Sequence, residues 1–378
     1  MMTLLGGLSP AVFLREYWHK RPLLVRQAVP NFSGPLDPED LRALAAREDV
    51  ESRLVSRIGG NWNLEHGPFA ASRFRKLGRR DWTLLVQSVD HHLPAGAALL
   101  EQFSFIPHAR LDDLMVSYAS PGGGVGPHFD SYDVFLLQGL GHRRWRIAAQ
   151  KNLDIVKGLP LKILKRFKPS AEYVLGPGDM LYLPPHFAHD GLAEDDCMTW
   201  SIGFRAPSTQ ELAQAFVDFL RDRIELPGRY ADSDLALQKH PAEISLAMLA
   251  QIEAMVSGIR WDRKDIAEFA GEYLSEPKPH VLFNAPDPIM GRKVFGKSLA
   301  SRGAALDAKT RMLFSGRRIF INGETLLASG LEGRVLRTLA DSRKLPPQSN
   351  LPAELQDMLY DWYEAGWLGL GPARAHHA

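Results

Sequence analysis

The sequence has almost no cysteine and no excess of either charge. Its 378 residues include one cysteine, Cys197, so neither an intramolecular disulfide nor a zinc site made of cysteine thiolates can form. Forty-five Lys and Arg residues against 44 Asp and Glu leave a formal net charge of +1, which excludes binding of nucleic acid through bulk charge. A metal site in this chain therefore has to use histidines and carboxylates.

Long apolar runs are also missing. No stretch reaches the roughly 18 apolar residues that a membrane span requires. The apolar start of the chain has no basic segment before it and no small-residue cleavage site after it, so it does not read as a secretion signal. We expect a cytoplasmic protein with no membrane association, and the single cysteine agrees with a reducing compartment.

The length suggests about two or three domains. In residues 1–207, and most clearly from Val125 to Phe204, short β-type runs alternate with Gly, Pro and Asp turns, which indicates a sandwich or barrel. The segments 133–137, 143–147, 173–175, 180–183 and 198–204 are predicted strands.

The composition changes after Pro207. Residues 208–275 read as an all-α region, which begins with Ser208 as helix N-cap and Glu211 in a capping-box position. A proline-rich linker follows, and residues 276–378 run from strands to helices in an order that suggests a winged-helix-like module.

A glycine-rich run ends in the most informative motif, which holds His128 and Asp130. Two residues apart on a strand, these side chains point to the same face and can meet one ion. Such a pair alone is weak evidence, because it more often makes surface hydrogen bonds. A second histidine from a distant strand would complete a set of two His and one carboxylate that leaves positions open for a cosubstrate and dioxygen, as non-heme Fe(II) oxygenases require.

Two histidines compete for the third position. His186 directly follows two prolines and reads as part of a turn, whereas His189 lies where the next strand begins. We therefore expect His189 to be the third ligand and His186 to be a loop residue.

An arginine supplies the third clue. Strand alternation places Arg143 on one face with Trp145 and Ile147, and a guanidinium on this otherwise apolar face needs an anion. A dicarboxylic cosubstrate that binds the metal through one end would present its other carboxylate there. The alternative is an internal salt bridge to an Asp or Glu.

Taken together, these motifs resemble the JmjC-type 2-oxoglutarate oxygenases of the cupin-4 group, and specifically the bacterial ribosomal oxygenases. The segments that carry the resemblance are 15–18, 20–24, 121–130, 132–135, 138–139, 143–145, 178–185 and 201–207.

The resemblance implies a mainly β fold with added helices: a double-stranded β-helix, or jelly roll, over 1–207, an all-α dimerisation region over 208–275 and a winged helix over 276–378. It places Fe(II) ligands on His128, Asp130 and His189, and the 2-oxoglutarate carboxylate on Arg143, with the hydroxyl of Ser117 nearby. It further implies a homodimer that hydroxylates an arginine of a ribosomal protein of the large subunit. His186 stands where relatives usually have a small residue.

Other functions compete with this interpretation. A cupin sensor joined to a DNA-binding winged helix would be a transcription regulator, but the last predicted helix has four acids and no Lys or Arg between Pro352 and Trp367, so we expect no direct DNA binding. A zinc or nickel cupin would use the same ligand types for non-oxidative chemistry. An oxygenase that demethylates proteins or acts on RNA is a further alternative.

Overall fold

The computed structural model describes residues 4–371, which divide into two compact units. The first unit comprises residues 4–206, 279–284 and 307–309, and the second comprises 207–278, 285–306 and 310–371.

Within the described residues, the first unit contains four α-helices and eleven strands. The helices are α1 (Pro10–Glu16), α2 (Pro38–Ala45), α3 (Ala71–Arg75) and α4 (Pro94–Glu101). The strands are β1 (Leu23–Val25), β2 (Ser52–Ile58), β3 (Asn61–His66), β4 (Trp82–Val86), β5 (Leu111–Ala119), β6 (Val134–Leu140), β7 (Arg143–Ala148), β8 (Ala171–Leu175), β9 (Met180–Leu183), β10 (Ala188–Ala193) and β11 (Cys197–Phe204).

These strands form two sheets, as a jelly roll requires. The larger sheet has the order β1-β9-β6-β11-β5-β4-β2-β3, and the smaller has the order β10-β7-β8. From β6 onward the chain passes back and forth between the two sheets, and every pairing within them is antiparallel. The expected double-stranded β-helix is therefore confirmed.

Opposite faces of the large sheet pack against different partners. Buried side chains of the outer face, such as Phe135 and Trp200, belong to one cluster with Phe13 of α1 and Leu41 of α2. The inner face contributes Leu136 and Leu181 to a second apolar cluster with Trp145 and Ile147 of the small sheet. Alternation along each strand thus separates a structural core from the interior where the two sheets meet.

The second unit contains the remaining elements. Its helices are α5 (Thr209–Arg221), α6 (Leu246–Val256), α7 (Arg263–Ser275), α8 (Arg292–Arg302), α9 (Gly330–Ser342) and α10 (Ala353–Glu364). Its strands are β12 (Ala304–Leu306), β13 (Met312–Ser315), β14 (Arg318–Ile321), β15 (Glu324–Leu327), β16 (Lys344–Leu345) and β17 (Leu368–Leu370), which form two three-stranded sheets.

Local sequence explains where α5 begins. The Ser208 hydroxyl accepts a hydrogen bond from the Glu211 amide at 3.1 Å, and the Glu211 carboxylate accepts one from the Ser208 amide at 2.6 Å. This reciprocal pair satisfies two amides that a helix start leaves free, so the expected capping box is confirmed. The division into domains at 207/208 and 275/276 stays a prediction.

No helix among residues 4–371 combines the length and apolar character that a membrane span needs.

Candidate metal and cosubstrate site

The two sheets bring His128, Asp130 and His189 together. His128 lies in the irregular stretch between β5 and β6, and His189 lies on β10. A two-residue antiparallel bridge joins them, with the His128 amide 2.9 Å from the His189 carbonyl and the His189 amide 2.8 Å from the His128 carbonyl. One potential ligand atom from each of the three side chains lies within 4.8 Å of the others, so a single ion can contact all three.

Backbone carbonyls orient both imidazole rings. His128 Nδ1 is 2.8 Å from the Gly126 carbonyl oxygen, and His189 Nδ1 is 2.9 Å from that of Phe187. Because a carbonyl oxygen only accepts, we assign the proton of each neutral ring to Nδ1, which leaves a lone pair on each Nε2. His189 Nε2 is 3.6 Å from the carboxylate of Asp130. In metal sites, a hydrogen bond from the other ring nitrogen to a backbone carbonyl commonly sets the orientation of a ligating histidine. The rings of His128 and His189 both have such a bond.

Burial also keeps His189 neutral. Loss of hydration lowers the pKa of His189 to about 4, and the proximity of His128 acts in the same direction. A neutral imidazole keeps the lone pair that a metal ion needs. Two imidazole rings and one carboxylate are the donor set suited to Fe(II) with open positions, so these side chains fit that ion.

His186 is not part of this cluster. It is exposed and has a left-handed backbone with φ of 61° in the turn before β10. Its amide donates to the Asp130 carbonyl at 2.7 Å, while its ring lies 5.8 Å from that of Phe129. The structure therefore brings His189, and not His186, to the other two residues.

Arg143 is buried on β7 and faces the interior with Trp145 and Ile147, as expected from alternation. Within the described residues no carboxylate lies within salt-bridge distance of its guanidinium. Nη1 donates to two hydroxyl groups at 3.2 Å each, those of Ser117 and Thr199. Nε is buried without a partner, and Nη2, next to it, shares the same unused edge.

The unused edge of Arg143 shows whether a dicarboxylate fits this site. A buried guanidinium without an anion is costly, and its Nε–Nη2 edge is a planar pair of donors that matches a carboxylate. An internal salt bridge, the alternative interpretation of Arg143, is absent from the described part of the chain. The residues present therefore fit a cosubstrate with a free distal carboxylate.

Gln138 and Thr199 also lie at this position and were not predicted from the sequence as site residues. Ser117, Thr199 and Gln138 lie side by side on β5, β11 and β6. Gln138 Nε2 donates to the carbonyls of Leu140 and Gly141 at 2.7 and 3.3 Å, so Gln138 Oε1 is the acceptor for the Thr199 hydroxyl at 3.0 Å. The Thr199 hydroxyl thus donates its only proton to Gln138. The hydroxyl proton of Ser117 can instead be donated to a ligand.

The signal for Gln138 and Thr199 was present but ambiguous. Both are polar residues inside mainly apolar strands, which is unusual for fully buried positions. Their pairing could not be read, because strands β6 and β11 are separated by about 60 residues in sequence.

A glycine makes room beside the histidine. A Cβ at Gly191 would lie 2.6 Å from the ring of Trp145, which in turn lies 5.9 Å from the ring of His189. Any larger side chain at Gly191 would displace the indole that lies next to the His189 ring.

Similarity to known proteins extends over most of the chain. A model of the JmjC domain matches residues 98–212, and a model of the ROXA-like winged helix matches residues 258–369. The chain is 37% identical over 324 residues to the ribosomal protein uL16 3-hydroxylase of Escherichia coli, covering 83% of this chain and 84% of that protein. It is 32% identical over 403 residues to a probable ribosomal oxygenase of Haemophilus influenzae, covering 95% and 96%.

Solved structures extend the similarity to the whole fold. The structure of YcfD, a ribosomal oxygenase from Escherichia coli, in complex with cobalt and 2-oxoglutarate has a TM-score of 0.82 and 33% identity, and the match covers 97% of this chain and 99% of that one. A second structure of the E. coli protein has a TM-score of 0.84, 32% identity and coverage of 96% and 98%.

Proposed function

Because the chain belongs to the JmjC-domain ribosomal oxygenases, we propose that it is an Fe(II)- and 2-oxoglutarate-dependent hydroxylase. Its proposed substrate is an arginine side chain of a ribosomal protein of the large subunit, uL16, which is the protein named for the E. coli relative. Such a substrate implies that the enzyme works in the cytoplasm.

One juxtaposition supports this proposal above all. Arg143 and Ile147 lie four residues apart on the inner face of β7, and His189 is the direct cross-strand partner of Ile147. The unused edge of a buried guanidinium and a cluster of metal-ligand side chains therefore share one interior face. A dicarboxylate with a chelating end and a free end needs both features on the same face.

We assign the roles as follows. His128, Asp130 and His189 hold Fe(II), and Arg143 and Ser117 bind the distal carboxylate of 2-oxoglutarate. When bound, iron and cosubstrate supply an oxidation in which one atom of O₂ enters a substrate C–H bond and the other enters succinate, with release of CO₂. The chain itself holds the ligands in one geometry, neutralises the distal carboxylate, and encloses the reaction between two sheets.

Three further proposals rest on family membership. The helical region over 208–275 forms a homodimer, the winged helix over 276–378 frames a site for protein rather than DNA, and residues 1–207 form the catalytic domain. The acidic last helix supports the second point, since two of its acids, Asp357 and Asp361, pair with Arg292 and the others repel phosphate.

The test is a reconstituted reaction. Purified enzyme with Fe(II), 2-oxoglutarate and O₂ should add the mass of one oxygen atom to uL16 and form succinate in step with it. Asp130→Ala should do neither. Loss of a methyl group with formaldehyde would show a demethylase instead, and full turnover by enzyme loaded with zinc under anaerobic conditions would show non-oxidative chemistry.

A further inference from the structure

A basic loop joins β7 to β8. This segment, residues 149–170 and hereafter the basic loop, has six cationic side chains and one acidic one, Asp154, in a chain whose formal net charge is only +1. The cations are Lys151, Lys157, Lys162, Lys165, Arg166 and Lys168, and all six are exposed.

Backbone hydrogen bonds give the basic loop a defined shape. Its two arms run antiparallel through a bridge between Ile155 and Leu164, with the Val156 amide 2.8 Å from the Ile163 carbonyl. Gln150 closes the base by donating to the Arg166 carbonyl at 2.9 Å and accepting from the Lys168 amide at 3.2 Å. The positive charges are therefore displayed on an ordered hairpin.

The basic loop lies beside the segment that carries the candidate metal ligands His128 and Asp130. The Leu164 amide donates to the carbonyl of Pro127, the residue before His128, at 2.8 Å. Leu164 also packs in an apolar cluster that includes Phe129, which lies between His128 and Asp130 in sequence. Apolar side chains of the hairpin thus face the metal-binding segment, and its cations face solvent.

These cations have no acidic partners in the part of the chain that the structure describes. No salt bridge joins any of the six to a carboxylate within residues 4–371. The neighbouring arginines of β7 differ, because Arg144 pairs with Glu172 and Glu194, and Arg146 pairs with Asp190. The field of the basic loop is therefore uncompensated and projects from the edge of the candidate site.

We propose that the basic loop binds the phosphate backbone of RNA. Five of its six cations are lysines, which act as point charges toward phosphate, whereas a surface selective for carboxylates would favour the planar fork of arginine. The single aromatic residue, Phe167, packs in the apolar cluster of the loop, so no ring is free to stack on bases. The contact is electrostatic and independent of base sequence.

This inference rests on the proposed function and deepens it. A ribosomal protein is itself a basic partner, which an uncompensated basic loop would repel, unless RNA is present to bridge the two. The enzyme then receives its substrate protein together with bound RNA, and the basic loop positions the RNA while the substrate arginine enters between the sheets.

Binding is tested without metal or cosubstrate. The probe is a short fluorescein-labelled single-stranded RNA of mixed sequence, followed by anisotropy over a range of salt concentrations. Combined Lys157→Gln, Lys162→Gln and Lys165→Gln substitutions should weaken binding and reduce the slope of log Kd against log salt by roughly 2, since each phosphate contact contributes about 0.7.

A matched control removes three cations elsewhere. Lys297, Arg317 and Arg334 are exposed residues of the second unit, and their combined change to Gln should leave RNA binding intact. The proposal is overturned if the RNA does not bind at low salt, if the control variant loses binding as much as the loop variant, or if polyglutamate competes as well as unlabelled RNA does.

Activity separates this inference from the proposed function. The loop variant should hydroxylate a short peptide of the substrate as the unmodified enzyme does, and should hydroxylate RNA-bound substrate protein more slowly. If the loop variant and the unmodified enzyme hydroxylate each of the two substrates at equal rates, the inference is overturned and the proposed function is not. Absence of peptide hydroxylation by the unmodified enzyme would instead overturn the proposed function.

Discussion

His186 and His189 are three residues apart, and backbone geometry alone separates their roles. The left-handed turn at His186 sends its side chain to the surface beside Phe129. His189 lies on β10, where its amide and carbonyl pair with His128 and its ring is almost fully buried. A strand position next to the other ligands, rather than the residue type, makes His189 the candidate ligand.

We expect His189→Ala to abolish hydroxylation and metal binding, because the remaining two side chains cannot hold an ion on three sides. His186→Ala should retain both activities, since its side chain makes no contact with the cluster. Calorimetric titration with Co(II) and a succinate assay would check the pair of variants. Loss of metal binding in His186→Ala, with retention in His189→Ala, would reverse our assignment.

The hydroxyls around Arg143 are also distinguished by their surroundings. The Thr199 hydroxyl donates its proton to Gln138, so toward Arg143 it acts only as an acceptor, and it holds Nη1 in place. The opposite edge is thereby kept in place for a carboxylate. Thr199 is a positioning residue in this scheme, whereas Arg143 and Ser117 contact the cosubstrate.

Thr199→Val should raise the KM for 2-oxoglutarate roughly tenfold. A hydrogen bond to a charged group contributes about 1.5–3 kcal/mol, and after its loss Arg143 Nη1 is still held by Ser117. The turnover number and the KM for the protein substrate should change little. Thr199→Ser should restore the unmodified values. Arg143→Ala should have a larger effect on the same KM, and Arg144→Ala a mild one.

Thr83 offers a matched control for Thr199. It is buried on β4 of the same sheet, but its hydroxyl has no hydrogen-bond partner within the described residues. Thr83→Val should leave the KM for 2-oxoglutarate unchanged. Similar increases in both valine variants would mean that Thr199 contributes only packing.

At the scale of elements, alternation along β7 has two consequences. The side chains of Arg143, Trp145 and Ile147 point inward. Those of Arg144 and Arg146 point outward, where they pair with Glu172 of β8 and Asp190 of β10. One six-residue strand therefore supplies the proposed cosubstrate contact on one face and a cross-strand charge network on the other.

Asp179 ties the short strand β1 to the rest of the large sheet. Its carboxylate accepts hydrogen bonds from the amides of Gln27 at 3.0 Å and Gly176 at 3.1 Å, and from Arg26 at 2.6 Å. Burial by itself raises the pKa of Asp179, but these donors outweigh it and hold the pKa below its ordinary value. The charged form is thus favoured by the fold.

A lowered pKa in the folded state means that Asp179 stabilises the fold above the unfolded pKa of about 4, and that this contribution is lost as the pH falls through the folded pKa. Asp179→Asn removes the contribution. Between about pH 6 and pH 3.5, we expect the unfolding free energy of the unmodified protein to fall more than that of Asp179→Asn. Urea denaturation would measure both, and equal losses would show that Asp179 is not the group responsible.

At the scale of the whole molecule, the helical region exposes an apolar surface. Leu246, Leu249, Ile252, Met255 and Val256 of α6 are each at least 40% exposed, which is unusual for a run of apolar residues along one helix. The proposed homodimer would cover this surface.

Leu249→Glu with Ile252→Glu should convert the dimer to a monomer, because two carboxylates would be buried without partners. Leu327→Glu, at an apolar side chain that is 65% exposed on β15, is the control and should remain dimeric. Light scattering at micromolar concentration would measure both. A monomeric unmodified protein would contradict the dimer.

The amino-acid sequence by itself determined much of this protein. The spacing of His128 and Asp130, the inward face of Arg143 and the capping box at Ser208 all depend on local periodicity, which a sequence states directly. The β-rich first part followed by helices and a winged helix could be predicted for the same reason, with the family resemblance supplying the double-stranded β-helix as the fold of the first part.

The tertiary structure decided what depends on contacts between distant segments. It placed His189 rather than His186 beside His128 and joined Thr199 to Gln138 across two strands. Among the described residues it left one edge of Arg143 without a partner, and it set the basic loop against the segment that carries the candidate metal ligands. The net charge of +1 does not reveal the basic loop, because a charge summed over the chain does not show where the fold concentrates positive charge. No local sequence pattern specifies which strands pair over long sequence separations.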